Sequence, residues 1–144
     1  MENQYKHYEH SVGLIMLHLE WKPKYSYKMF AKEEQKNLCV GCIRRAASLH
    51  KIKIIALSVM PEHVHCEVQV ELTMSASKVL QILKGGSAKL FFMKNPKARL
   101  RYPKGHLWSR GKFAASVGFV QEEIVRNYIL NQEEHHKETP LRTK

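Results

Sequence analysis

Four residues of this chain have the types and the spacing to do chemistry together: His63 and His65, two apart, and Tyr128 and Gln132, four apart. A strand repeats every two residues, so both imidazoles leave one face while Val64, Cys66, Val68 and Val70 point to the other. A helix brings positions i and i+4 onto one face, so the Tyr128 phenol and the Gln132 amide can enter one pocket. Two imidazoles and an amide oxygen can hold a divalent metal ion, and a tyrosine beside such an ion is a candidate nucleophile for phosphoryl transfer. Glu62, in the Met60-Pro61-Glu62 turn, and Glu67 are candidates for a further oxygen ligand. Each residue taken alone has a blander reading. With nine histidines in 144 residues, one His-x-His triplet is unremarkable, and Tyr128, set between Ile124, Val125 and Ile129, has the spacing of a core aromatic. The weight comes from the setting.

That setting is legible in the periodicity. Ser11 to Trp21 reads as a strand, apolar on both faces apart from His18, and therefore central in its sheet; Pro23 ends it, and residues 24–30 form a basic, aromatic connection. Lys32 to His50 carries a helical apolar stripe at 38, 39, 42, 43, 46 and 49. Ile52 to Val59 and His63 to Glu71 read as two further strands joined at Pro61. Ser75 is a good N-cap for a second helix with Ala76, Val79, Leu80, Leu83, Leu90 and Phe91 on one side. Gly85-Gly86 inside it costs roughly 2 kcal/mol against alanine, which predicts a kink or the close approach of another backbone. Asn95 to Gly105 reads as a basic loop, Leu107 to Val117 as a fourth strand interrupted by Gly111, and about Gln121 to His135 as a last helix after a turn at Gly118. The order β-α-β-β-α-β-α predicts an α+β, ferredoxin-like (split βαβ) domain: an antiparallel four-stranded sheet, helices on one face, and an additional C-terminal helix. One domain spans 1–144, with 1–10 and 138–144 as flexible ends.

Composition narrows the partners. Apolar residues at 44% and charged residues at 26% are ordinary for a globular protein, but 24 Lys and Arg against 13 Asp and Glu give a formal +11. Such a surplus points to a polyanion, nucleic acid first. Lys84, Lys89 and Arg110, with the 94–104 loop, are the candidate DNA track, and the tyrosines at 5, 8, 25, 27 and 102 are suited to stacking on bases. Val12 to Leu19 is too short to span a membrane, and no secretory signal is visible. Cys39 and Cys42 fall in a helix among Leu38, Ile43, Ala46 and Leu49, and no second CxxC completes a zinc site, so with Cys66 they read as buried thiols of a cytoplasmic protein.

Around these residues stand Trp21-Lys22-Pro23-Lys24-Tyr25, Leu83-Lys84-Gly85-Gly86-Ser87 and Leu107-Trp108-Ser109-Arg110-Gly111. Together with His63-Val64-His65, Tyr128 and Gln132, they make most of the chain resemble the single-tyrosine HUH (His-hydrophobic-His) transposases of small prokaryotic insertion sequences, the superfamily of the REP-associated tyrosine transposases. The resemblance implies Tyr128 as nucleophile, His63, His65 and Gln132 as ligands of Mg²⁺ or Mn²⁺, and a covalent phosphotyrosine at a DNA 5′ end with release of a 3′-hydroxyl. It implies single-stranded DNA with hairpins at the element's ends as substrate. It also implies a homodimer in which one subunit's tyrosine helix completes the other's His pair. Two other readings share parts of this pattern. One is a related HUH nuclease serving replication or domesticated repeat processing, with the same catalytic residues. The other is a non-catalytic, ferredoxin-like module binding single-stranded nucleic acid. Its usual mark is exposed aromatics on the central strands, where this chain has His63, His65 and Glu67.

Overall fold

Alternation along four strands builds the sheet that carries the histidines. In the computed structural model, which describes residues 7–8, 11–24, 29–117 and 126–132, a short hairpin of β1 (His7–Tyr8) and β2 (Ser11–Val12) precedes the main sheet. The sheet consists of β3 (Leu14–Pro23), β4 (Lys53–Met60), β5 (His63–Glu71) and β6 (Trp108–Ser116), ordered β4-β5-β3-β6 and antiparallel throughout. Two helices, α1 (Glu33–Leu49) and α2 (Ala76–Lys94), complete the expected split βαβ arrangement. Residues 126–132 form a further helical stretch, α3. The ferredoxin-like α+β fold is the observed one.

The register sorts every side chain. Leu17, Leu19 and Trp21 of β3 stand opposite Val68, Cys66 and Val64 of β5, and all join one core with Cys39, Ile43, Leu83 and Phe91 of the two helices. This apolar face supplies the hydrophobic driving force and fixes the register, because a one-residue slip would exchange the two faces. All three cysteines are buried and free, as expected, and burial pushes the Cys66 thiol up to about 12. No described helix is long and apolar enough to cross a membrane.

Several local expectations need correction. The strand expected over 11–21 is two: Gly13, at φ +143°, breaks it, and β2 folds back on His7–Tyr8 within the stretch expected to be loose. Gly85-Gly86 produces no kink, since α2 runs unbroken over both. Close approach explains one of the pair: a Cβ on Gly86 would lie 2.8 Å from the Ala46 Cβ of α1, whereas one on Gly85 would meet nothing within 4 Å. The basic loop contains a 3-10 turn, Pro96–Leu100, which folds Tyr102 underneath. Tyr102 is only 1% exposed and packs against Phe92, so it is a core residue rather than a base-stacking one. Tyr5, Tyr25, Tyr27 and Gly118, at the expected turn, lie outside the described residues, as do the flanks of the last helix.

Candidate active site

The second face of the sheet carries the chemistry. In register, Ser58, His65, Glu20 and Phe113 form one row across β4, β5, β3 and β6, and Ala56, Glu67, His18 and Ala115 form the next. Polar groups thus occupy the central strands, where the opposite face is wholly apolar. His63 and His65 project side by side as the strand period requires, with ring centroids 4.7 Å apart. His65 is deeply set, its side chain 6% exposed. Burial, and then the neighbouring imidazoles of His63 and His18, push its pKa down to about 4. At neutral pH His65 is therefore an uncharged base with a lone pair to give, the form a metal ion requires.

α3 supplies the other half. Ile129, fully buried, anchors the helix, while Tyr128 is 54% exposed, which removes the core-aromatic reading. The Tyr128 ring lies edge-on to His65 of the same chain, centroids 6.3 Å apart. One helical turn on, Gln132 Nε2 donates to the Tyr128 hydroxyl over 3.4 Å, leaving Gln132 Oε1 buried with no hydrogen-bond partner among the described residues. The two pairs seen in the sequence, one from a strand and one from a helix, therefore converge.

Glu20 and His18 were not singled out by the sequence. Glu20 Oε2 lies 3.6 Å from His65 Nδ1 and 3.8 Å from His18 Nε2, and His18 stacks on His65 with centroids 5.8 Å apart. These three residues, rather than Glu62, form the described cluster of His, Cys, Asp and Glu groups close enough to share an ion. The signal was available: His18 and Glu20 are polar, two apart, in a strand whose other residues up to Trp21 are apolar.

Two cavities adjoin at β6. One, about 380 Å³, is lined by Glu20, Lys22, His63, His65, Ser109 and Phe113 among others. The other, about 670 Å³, runs between α2 and the basic segment, and Lys84, Lys89 and Arg110 all line it, with Arg99 and His106 beside them. Ser109 lines both, and its carbonyl accepts from Lys84 Nζ at 2.8 Å. Burial, then the Lys112 ammonium, lowers the Lys84 pKa. A basic groove thus opens beside the histidine cleft.

A mixed sheet face of paired histidines is thus approached by a tyrosine helix and flanked by a basic groove, and similarity to transposases makes the protein a DNA-processing enzyme. The chain belongs to the IS200-like transposase family, whose model matches residues 11–132. It is 27% identical over 121 residues to the ISDra2 transposase TnpA of Deinococcus radiodurans, covering 84% of each chain. It is 26% identical over 121 residues to the transposase for insertion sequence element IS200 of Salmonella typhimurium, covering 83% of this chain and 78% of that one. A crystal structure assigned as a Deinococcus radiodurans transposase superposes with a TM-score of 0.70 at 26% identity, over 89% of this chain and 98% of the other. The fold is also shared, at TM-score 0.60 and 16% identity over 84% and 68% of the chains, by a REP-associated tyrosine transposase bound to a REP hairpin.

Proposed function

We propose that this transposase nicks and rejoins single-stranded DNA through a covalent link between Tyr128 and a DNA 5′-phosphate. One observation carries the reading: the only tyrosine hydroxyl described beside the His pair is half-exposed and held by Gln132. Tyr128 Oη would attack the scissile phosphorus, forming a phosphotyrosine bond as the P–O3′ bond breaks; the phenol gives up its proton and the departing 3′-oxygen gains one. The energy of the broken phosphodiester is kept in the new bond, so another 3′-hydroxyl can reverse the step and join different ends without a nucleotide cofactor.

The residues present fit a divalent metal ion. Gln132 Oε1 is a buried acceptor without a hydrogen-bond partner among the described residues, and His65 is held neutral by its surroundings. His63, His65 and Gln132 would hold Mg²⁺ or Mn²⁺, which when bound neutralises charge on the scissile phosphate and favours in-line displacement. Lys84, Lys89 and Arg110 would seat the backbone of the flanking strand, in keeping with the hairpin seen on a protein of the same fold. The ion's identity follows the family resemblance, as does assembly as a homodimer; the shared sites which that resemblance implies would require the tyrosine helix to leave its place beside His65 of its own chain.

The test is direct. With Mn²⁺, a single-stranded oligonucleotide carrying a hairpin should yield an SDS-resistant adduct, and the same sequence as a perfect duplex should not. Peptide mapping should place the adduct on Tyr128. Attachment at Tyr25 or Tyr102, or efficient duplex cleavage with no adduct, would refute the proposal.

A further inference from the structure

The row geometry brings three donors to a point on the β3 side of His65 that the catalytic reading does not use. Glu20 Oε2 lies between His65 Nδ1, 3.6 Å away, and His18 Nε2, 3.8 Å away. Neither nitrogen has a hydrogen-bond partner among the described residues, although both are buried. Those separations are too long for hydrogen bonds. They are near what two ligands keep when each binds one ion at about 2.1 Å, roughly 3.0 to 3.5 Å apart depending on geometry. All three ligand atoms lie within 4.8 Å of one another. Glu67, buried on the same face and directly opposite His18, places a further carboxyl group next to this cluster.

We propose that His18 Nε2, Glu20 Oε2 and His65 Nδ1 form a second cation site, selective for nitrogen-preferring first-row ions such as Zn²⁺ and Co²⁺, whose occupation withdraws His65 from the catalytic metal. Two imidazoles and one carboxylate favour Zn²⁺ and Co²⁺ over Mg²⁺ and Mn²⁺. The withdrawal follows from the chemistry of imidazole: the neutral ring has one lone pair, so a cation on Nδ1 leaves the proton on Nε2. His65 then becomes a donor on its other side, where the catalytic site needs an acceptor. The site acts as an inhibitory metal switch, and this part rests on His65 serving as a catalytic ligand.

Co²⁺ is the probe, followed by its visible absorption, with bound Mn²⁺ followed separately by electron paramagnetic resonance on chelator-treated protein. Glu20→Gln and His18→Ala should each weaken Co²⁺ binding by about tenfold or more. His63→Ala and Gln132→Ala should weaken Mn²⁺ while leaving unchanged the Co²⁺ binding that depends on Glu20. Co²⁺ should displace Mn²⁺ from the unaltered protein, and much less effectively from Glu20→Gln. That variant keeps shape and is half-exposed, so it remains informative should His18→Ala fail to fold. Unchanged Co²⁺ affinity in Glu20→Gln overturns the second site, and Mn²⁺ remaining bound at saturating Co²⁺ overturns the switch. Mn²⁺ affinity unmoved by His63→Ala and Gln132→Ala would instead remove the catalytic reading, with the Co²⁺ result standing on its own.

Discussion

Tyr128 and the metal-facing residues should separate cleanly when altered singly. Tyr128→Phe removes one half-exposed hydroxyl and should abolish the covalent adduct, with oligonucleotide affinity and thermal midpoint close to those of the parent, as gel assay, titration and calorimetry will show. His63→Ala and His65→Ala should each weaken Mn²⁺ binding more than Gln132→Ala, which loses one neutral oxygen; calorimetric titration ranks them. His65 also imposes a pH dependence on folding. Its folded pKa is about 4 against 6.5 for the ordinary group, so between those values the unfolded chain binds the extra proton. Stability should therefore decline as pH falls from 6.5 towards 4 and level off below, by up to the order of 3 kcal/mol. Urea titrations in chelator at pH 7, 5.5 and 4.5 test the sign, and an identical slope in His65→Gln would remove His65 as its origin.

Among the elements, the contact of α1 with α2 makes the sharpest claim. Gly86→Ala should destabilise the protein, because the new methyl would come 2.8 Å from the Ala46 Cβ and overpacking of this kind costs about 1 to 3 kcal/mol. Gly85→Ala, facing open space one residue earlier, should stabilise by about 0.5 to 1 kcal/mol through helix propensity alone. Pairing Gly86→Ala with Ala46→Gly should recover much of the loss; failure to do so in denaturant titrations would place the strain elsewhere. The same pair shows what periodicity can and cannot reveal. Strand alternation at 63–70 and the apolar stripe of α1 are properties of a segment, so the sequence displays them directly. Which of two glycines meets a neighbour depends on how α2 lies on Ala46, and the alignment of Glu20 with His65 depends on register between strands over forty residues apart. Burial of Tyr102 is hidden from composition for a similar reason: a 3-10 turn inside a polar, basic stretch turns it inward.

At the scale of the whole molecule, three of the cations behind the +11 charge, Lys84, Lys89 and Arg110, line one groove beside the cleft. Neutralising any of the three should weaken oligonucleotide binding across sequences and flatten the salt dependence by about 0.7 in log–log slope per lost single-strand contact. An unchanged slope, measured by fluorescence anisotropy between low and moderate salt, would move the strand off this groove. The groove and the cleft also share a hinge of hydrogen bonds. Trp108 Nε1 donates to Ser87 Oγ at 3.0 Å, Ser87 Oγ donates to the Lys84 carbonyl at 3.3 Å, and Lys84 Nζ returns to the Ser109 carbonyl at 2.8 Å. The ring closes between the middle of α2 and the first residues of β6, an edge strand that is mostly exposed further along. Because the Trp108 indole proton is buried inside that ring, it can trade with deuterium only when α2 and β6 part. A single resonance should therefore act as a clock for the opening of this seam, slowing when DNA spans both cavities and quickening in Ser87→Ala.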